Sequence, residues 1–232
     1  MTAAGGRVEV VPVRIYHYGY RSRACFAKDK PRRNIEIIEE RLRRDPDDSF
    51  MRFSLGMEYM RLGEFERALA EYKRSFAGRG KDDGYAPMLV RNICVCLFQL
   101  RRYDDLVQVA DEALQVYPDY TDLVYLKGLA RFEQQRYSEA AEAFRRCLEM
   151  GDAGHPYLVE VGLGGLRAWL ALGQVYERLG DEHNAVRAYT RALREDPRSA
   201  LPVHYLGTLL LQREQPEAVA AFFDRHADQT SG

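Results

Sequence analysis

The sequence predicts an all-α protein built as an array of repeated helical hairpins, an α-solenoid. Three observations carry that prediction. The first is the stretch from Trp169 to Ala192, where Trp169, Leu172, Gly173 and Tyr176 are followed by Ala185, Tyr189 and Ala192. The small residues let two antiparallel helices approach closely, and the large ones fill the space around that contact. The second is recurrence. Leu55, Gly56 and Tyr59 with Ala68 and Tyr72 repeat the pattern, as do Gly128, Ala140, Phe144 and Cys147, and Tyr103 to Tyr137 is an offset of 34 residues. The third is physical: one amphipathic hairpin cannot bury its apolar face alone, so each copy implies neighbours of its own kind.

Composition agrees with a folded, water-facing chain. The 232 residues are 46% hydrophobic and 30% charged, and the net charge of −1 gives no global pull toward nucleic acid or membrane. No apolar run approaches the roughly 20 residues of a membrane span, and the start, MTAAGGRVEV, lacks the pattern of a secretory signal. The expected setting is the cytoplasm. Cys25, Cys94, Cys96 and Cys147 include no C-x2-C pair and are read as reduced thiols.

Taken in order, residues 1–29 read as an extended N-terminal arm. Within it residues 7–15, RVEVVPVRI, have strand character, which Pro12 restricts to an edge or an isolated arm. Residues 30–48 form a capping helix over 31–44. Pro31 suits its first turn, Ile35, Ile38 and Leu42 make its apolar stripe, and Asp45-Pro46 ends it. Residues 49–232 hold five hairpins, starting near Ser49, Pro87, Thr121, Leu166 and Ala200. The second is the most divergent: Val90, Ile93, Cys94 and Leu97 stand in its first helix, with Leu106, Ala110 and Ala113 in its second. Residues 78–84 are a long Gly- and Asp-rich connection, and residues 151–165 are an insertion expected to act as a hinge or a wider gap. The fifth hairpin has Leu206, Gly207 and Leu210, then Ala218 and Phe222.

Over residues 31–226 these hairpins resemble tetratricopeptide repeats. The resemblance implies a right-handed superhelix whose concave face is lined by repeat positions 2, 5, 9 and 12. In the first three repeats those positions hold Phe50, Phe53, Met57 and Met60; Met88, Arg91, Val95 and Phe98; and Tyr125, Leu129 and Phe132 after Asp122. Repeat four gives Arg167, Leu170, Gln174 and Glu177, and repeat five adds His204 with Leu201, Thr208 and Leu211. An aromatic and Met-rich groove suits an apolar or amphipathic segment of a protein or peptide. It departs from the family's Lys/Asn clamp for carboxylates, since only Arg91 and Asn92 offer that chemistry.

A narrower resemblance runs through VRIYHYGY (13–20), KPRRNIEIIEERLRRDPDD (30–48), FSLGMEYMRLGEFERAL (53–69) and GLGGLRAWLALGQVYERLGD (162–181). These stretches look like the C-terminal part of bacterial family 2 glycosyltransferases, in which a nucleotide-sugar-binding domain precedes tetratricopeptide repeats. The arm would then be a remnant of the catalytic domain. His17, with Gly19 and Tyr20, matches a segment near the sugar-donor site whose histidine helps bind a divalent metal. The chain has no room for the α/β catalytic domain, so His17 would be an orphaned ligand.

No Walker-type, G-x-S-x-G or kinase-like pattern is present, and no two of the five histidines have metal-ligand spacing. Asp47–Asp48, Asp82–Asp83 and Asp104–Asp105 fall at helix starts or in loops, where carboxylates cap amides. From Arg14 to Arg44 ten basic residues face four acidic ones, which keeps RNA contact by the arm as one alternative. The expectation is therefore a non-catalytic, cofactor-free interaction module from a family 2 glycosyltransferase. The other alternative is a free-standing scaffold unrelated to glycosyl transfer.

Overall fold

In a computed structural model of the chain, the structure describes residues 29–78, 84–154, 157, 160–211 and 219. Among them are ten helices: α1 (Asp29–Arg44), α2 (Ser49–Arg61), α3 (Phe65–Gly78), α4 (Ala86–Gln99), α5 (Tyr103–Val116), α6 (Thr121–Glu133), α7 (Tyr137–Met150), α8 (Leu166–Arg178), α9 (Glu182–Glu195) and α10 (Ala200–Leu210). Helices adjacent in sequence pack together throughout, and α4 also meets α6. This is the neighbour-only contact pattern of a solenoid. The expected 7–15 strand, His17, Gly19, Tyr20, Cys25, Asp82–Asp83, Ala218 and Phe222 lie outside the described residues.

The spacing of small and large residues sets the hairpins. An added Cβ on Gly56 would stand 2.5 Å from the Tyr72 ring, on Gly128 2.7 Å from Phe144, and on Gly173 2.2 Å from Tyr189. Those distances are below van der Waals contact, so each glycine is where the second helix's ring lies on the first helix. All three rings are almost fully enclosed. The turn inside each hairpin repeats as well. Gly63, Arg101, Gln135 and Gly180 stand at equivalent places, all with φ between 57° and 75°. That left-handed conformation costs a non-glycine residue about 1–2 kcal/mol.

Helix α1 is fastened to repeat one by polar contacts around an apolar stripe. Ile35 and Leu42 are buried. Asn34 donates to Glu58 at 3.0 Å, and the Tyr59 hydroxyl donates to Glu39 at 2.9 Å. Arg67 lies over the Tyr59 ring, 4.0 Å from its centre. Asp48 caps α2 by accepting from the Met51 amide at 2.9 Å, and Asp181 caps α9 by accepting from Asn184 at 3.1 Å.

The insertion does not open a gap. α8 packs directly on α7, where Ala140, Ala141 and Phe144 share one buried cluster with Ala171, Leu172 and Val175. The described part of the insertion is a folded loop. Asp152 accepts from the amides of Gly162 and Gly164, both at 2.7 Å, and Leu163 is buried. A Cβ on Gly164 would stand 1.9 Å from the Gly151 carbonyl carbon, so two backbone strands meet where no side chain fits. Tyr157 stacks on Tyr120 with ring centres 4.4 Å apart and donates to Asp119 at 2.5 Å. The loop thus lies against repeat three while α8 continues the stack.

Candidate functional site

The first helices α2, α4, α6, α8 and α10 carry the side chains expected on the concave face. Met57, Met60, Met88, Val95, Phe98, Leu129 and Phe132 are half-buried, and all of them but Val95 pack against the buried core clusters. Tyr125 is half-buried as well, tilted on Phe144 at 5.2 Å, and burial pushes its phenol up to about 12. Phe50 is 50% exposed and His204 is exposed.

Phe53 is placed differently. It is 1% exposed, with Tyr72 at 5.9 Å and Tyr85 at 5.0 Å between ring centres. Tyr85 stands at the end of the long connection after repeat one. Its ring also meets Phe50 edge-on at 5.5 Å, and its hydroxyl donates to the Ser49 hydroxyl at 2.9 Å. Phe53 is therefore a core residue, covered by an aromatic side chain that the repeat pattern does not contain.

The same face changes character toward its C-terminal half. There a cavity of about 250 Å³ is lined by Phe132, Gln174, Glu177, Arg178 and Tyr205. The guanidinium of Arg178 lies 5.6 Å from the centre of the Phe132 ring, within range of a cation–π contact. Tyr189 donates to Glu177 and stacks on Tyr205 at 5.4 Å. Arg178 and Tyr205 stand outside the positions 2, 5, 9 and 12 that family periodicity assigns to the face.

A charged cluster crosses the middle of the face. Arg91 Nε donates to Asp122 at 2.6 Å, and its Nη2 donates to Glu160 of the insertion at 3.1 Å. Arg167 donates to the other oxygen of Glu160, and the Glu160 amide donates to Asp122 at 3.3 Å. Asp122 is 1% exposed. Burial raises its pKa, and the Arg91 hydrogen bond opposes that shift. Asn92 is buried and donates to the Tyr72 hydroxyl at 3.2 Å, so it takes no part on the surface.

A second cavity, of about 260 Å³, opens between the second helices α3 and α5. Phe76, Val90, Ile93, Val109 and Val116 line it with Tyr117. Cys94, Cys96 and Cys147 are free and buried, and desolvation pushes each thiol up to about 12, far from the range of a nucleophilic thiolate. Among the described residues no group of three His, Cys, Asp or Glu side chains is placed to hold a metal. Asp45 and Asp47 sit in the turn between α1 and α2. The chemistry on view is that of contact: apolar side chains with charged and aromatic borders.

Comparison with known proteins gives the array its family. Tetratricopeptide repeat family models match residues 51–77, 97–155 and 166–209. Among curated proteins, the SPbeta prophage-derived glycosyltransferase SunS of Bacillus subtilis (strain 168) is 31% identical over 121 residues, and glycosyltransferase SunS of Bacillus phage SPbeta matches equally. That stretch is 51% of this chain and 29% of the relative, so the chain spans under a third of the curated relatives it matches. Among solved structures, a tetratricopeptide repeat protein from Parabacteroides merdae aligns with a TM-score of 0.65 at 17% identity, over 88% of this chain and 75% of that one. MamA from Desulfovibrio magneticus RS-1 aligns at 0.60 and 18% identity, over 73% and 88%. YrrB, described as a tetratricopeptide protein with an unusual peptide-binding site, aligns at 0.59 and 16% identity, over 76% and 83%. These likenesses establish the fold. The three family-model matches, with the glycine–ring contacts and the repeated turn, show that the chain belongs to the tetratricopeptide repeat family.

Proposed function

We propose that this chain is a non-catalytic interaction module that holds a protein or peptide segment along its concave face. The observation that carries the reading is the row of half-buried apolar side chains on α2, α4 and α6, from Met57 through Phe98 to Phe132. Such a row leaves apolar area in water that a partner's apolar or amphipathic segment would cover. Methionines on it adapt their shape to different partners. YrrB, which shares the fold, is described as binding a peptide, and this supports the use of such an array for that purpose.

The test uses a fluorescent amphipathic peptide and the full chain. Phe98→Ser and Phe132→Ser should weaken binding while the helical circular dichroism stays intact. Unchanged affinity in both variants removes the groove from consideration. For a peptide without acidic side chains, binding should change little with salt, because apolar contact releases no counterions.

A second reading is favoured by the similarity to SunS. The array would belong to a family 2 glycosyltransferase and would hold an acceptor or partner near a sugar-transfer site. An antibody against the repeats tests this in the source cells. A species well above 26.7 kDa supports it, and a single band at 26.7 kDa returns the chain to a free-standing scaffold.

A further inference from the structure

We infer that Arg91 and Arg167 form a carboxylate-binding station on the concave face, occupied in cis by Glu160 of the insertion and opened to a partner when a carboxylate of the bound segment takes that place. The inference rests on the groove reading and gives its ligand a chemical class: an acidic side chain flanked by apolar ones.

Four observations support it. Two arginines from different repeats converge on one carboxylate, each on its own oxygen. Arg91 is held in place independently of Glu160, because its Nε is bonded to the enclosed Asp122. The Arg91 half of the station is therefore preorganised and keeps its place when Glu160 rotates away. Asp122 offsets one of the two arginine charges, so the site without Glu160 carries one uncompensated positive charge and favours an anion. The Glu160 side chain itself is 42% exposed, and ion pairs at that exposure contribute little. A carboxylate delivered by a segment already resting on the apolar row competes with it on nearly equal terms.

The exchange asks little of the loop. Asp152, Leu163 and the Gly151–Gly164 contact fix the C-terminal half of the insertion without using the Glu160 carboxylate. Rotation of the Glu160 side chain into solvent vacates the station. Met88, Val95 and Tyr125 stand half-buried on the same two helices, α4 and α6, as Arg91 and Asp122. They give the flanking residues of the partner apolar surface.

Two labelled peptides test the inference on the full chain: one with an aspartate between leucine and phenylalanine, the other with asparagine in its place. The aspartate peptide should bind more tightly. Glu160→Gln should tighten it about three- to five-fold and leave the asparagine peptide unchanged. Arg167→Ala, at an exposed position that the fold does not need, should abolish the difference between the peptides. If both peptides bind and Glu160→Gln changes neither, the exchange is overturned and the groove stands. If neither peptide binds wild type or variant, the groove reading falls and the inference falls with it.

Discussion

In repeat four the first helix carries Gly173 where the second helix presents the ring of Tyr189, with Ala185 one turn earlier. In repeat two the corresponding positions hold Cys94, Ala110 and Leu106, all with no exposed surface. Repeats one and three follow repeat four, with Gly56 under Tyr72 and Gly128 under Phe144. Repeat two exchanges the sizes: bulk moves from the ring position to Cys94 and Leu106, and Ala110 is small in return. The hairpin closes either way because interiors demand conserved volume more than fixed letters. Repeat two looks divergent as a sequence and is ordinary as a packing solution.

That comparison can be broken at its large member first. Tyr189→Ala removes an enclosed ring and should cost about 3–5 kcal/mol by analogy with other aromatic-to-alanine changes, read from urea unfolding. Gly173→Ala places a carbon 2.2 Å from the ring and should cost about 1–3 kcal/mol by overpacking. The exchange in repeat two is sharpened by Ala110→Tyr. Alone it should destabilise by about 1–3 kcal/mol. Combined with Cys94→Gly and Leu106→Ala it should recover at least half of that loss, and strictly additive losses would show that the three positions do not share one space.

The turn position gives smaller effects. Gly180→Ala forces an alanine to φ 72° and should cost about 1 kcal/mol. Arg101→Gly relieves the same strain at φ 57° and should add a few tenths of a kcal/mol. The smallest effect at neutral pH concerns Cys94, the thiol that only repeat two has at this place. Its folded pKa is raised to about 12 from an ordinary 9.0. The unfolded chain therefore loses the proton first as pH rises. Its contribution is complete below pH 9 and falls away between 9 and 12. Stability should be insensitive to pH between 7 and 8, and Cys94→Ala should reduce the alkaline loss.

The hairpins were legible in the residues because a glycine beneath a ring fixes both spacing and face. Starts expected near Ser49, Thr121, Leu166 and Ala200 coincide with the helices, and Ala86 begins one residue before Pro87. What the pattern could not show depends on contacts distant in sequence. Phe53 occupies a face position by periodicity and is buried because Tyr85, outside the repeat, folds over it. Glu160 meets Arg91 across 69 residues, and nothing in a stretch with the look of a spacer marks it as a partner. The binding role of the face residues stays a proposal for the same reason: periodicity says where a side chain points, and a partner decides whether it is used.

Trp169 is the only tryptophan of the chain. It packs half-buried against both the cluster joining α7 to α8 and the cluster joining α8 to α10. Indole emission therefore gauges the junction of the later repeats and is blind to Ile35, Phe53 or Leu97 in the earlier core. Circular dichroism weights the helices by length wherever they stand. In an array held together by neighbour contacts, melting curves from the two signals should coincide only if the whole solenoid unfolds as one unit. A separation between them would give the order in which its two ends come apart.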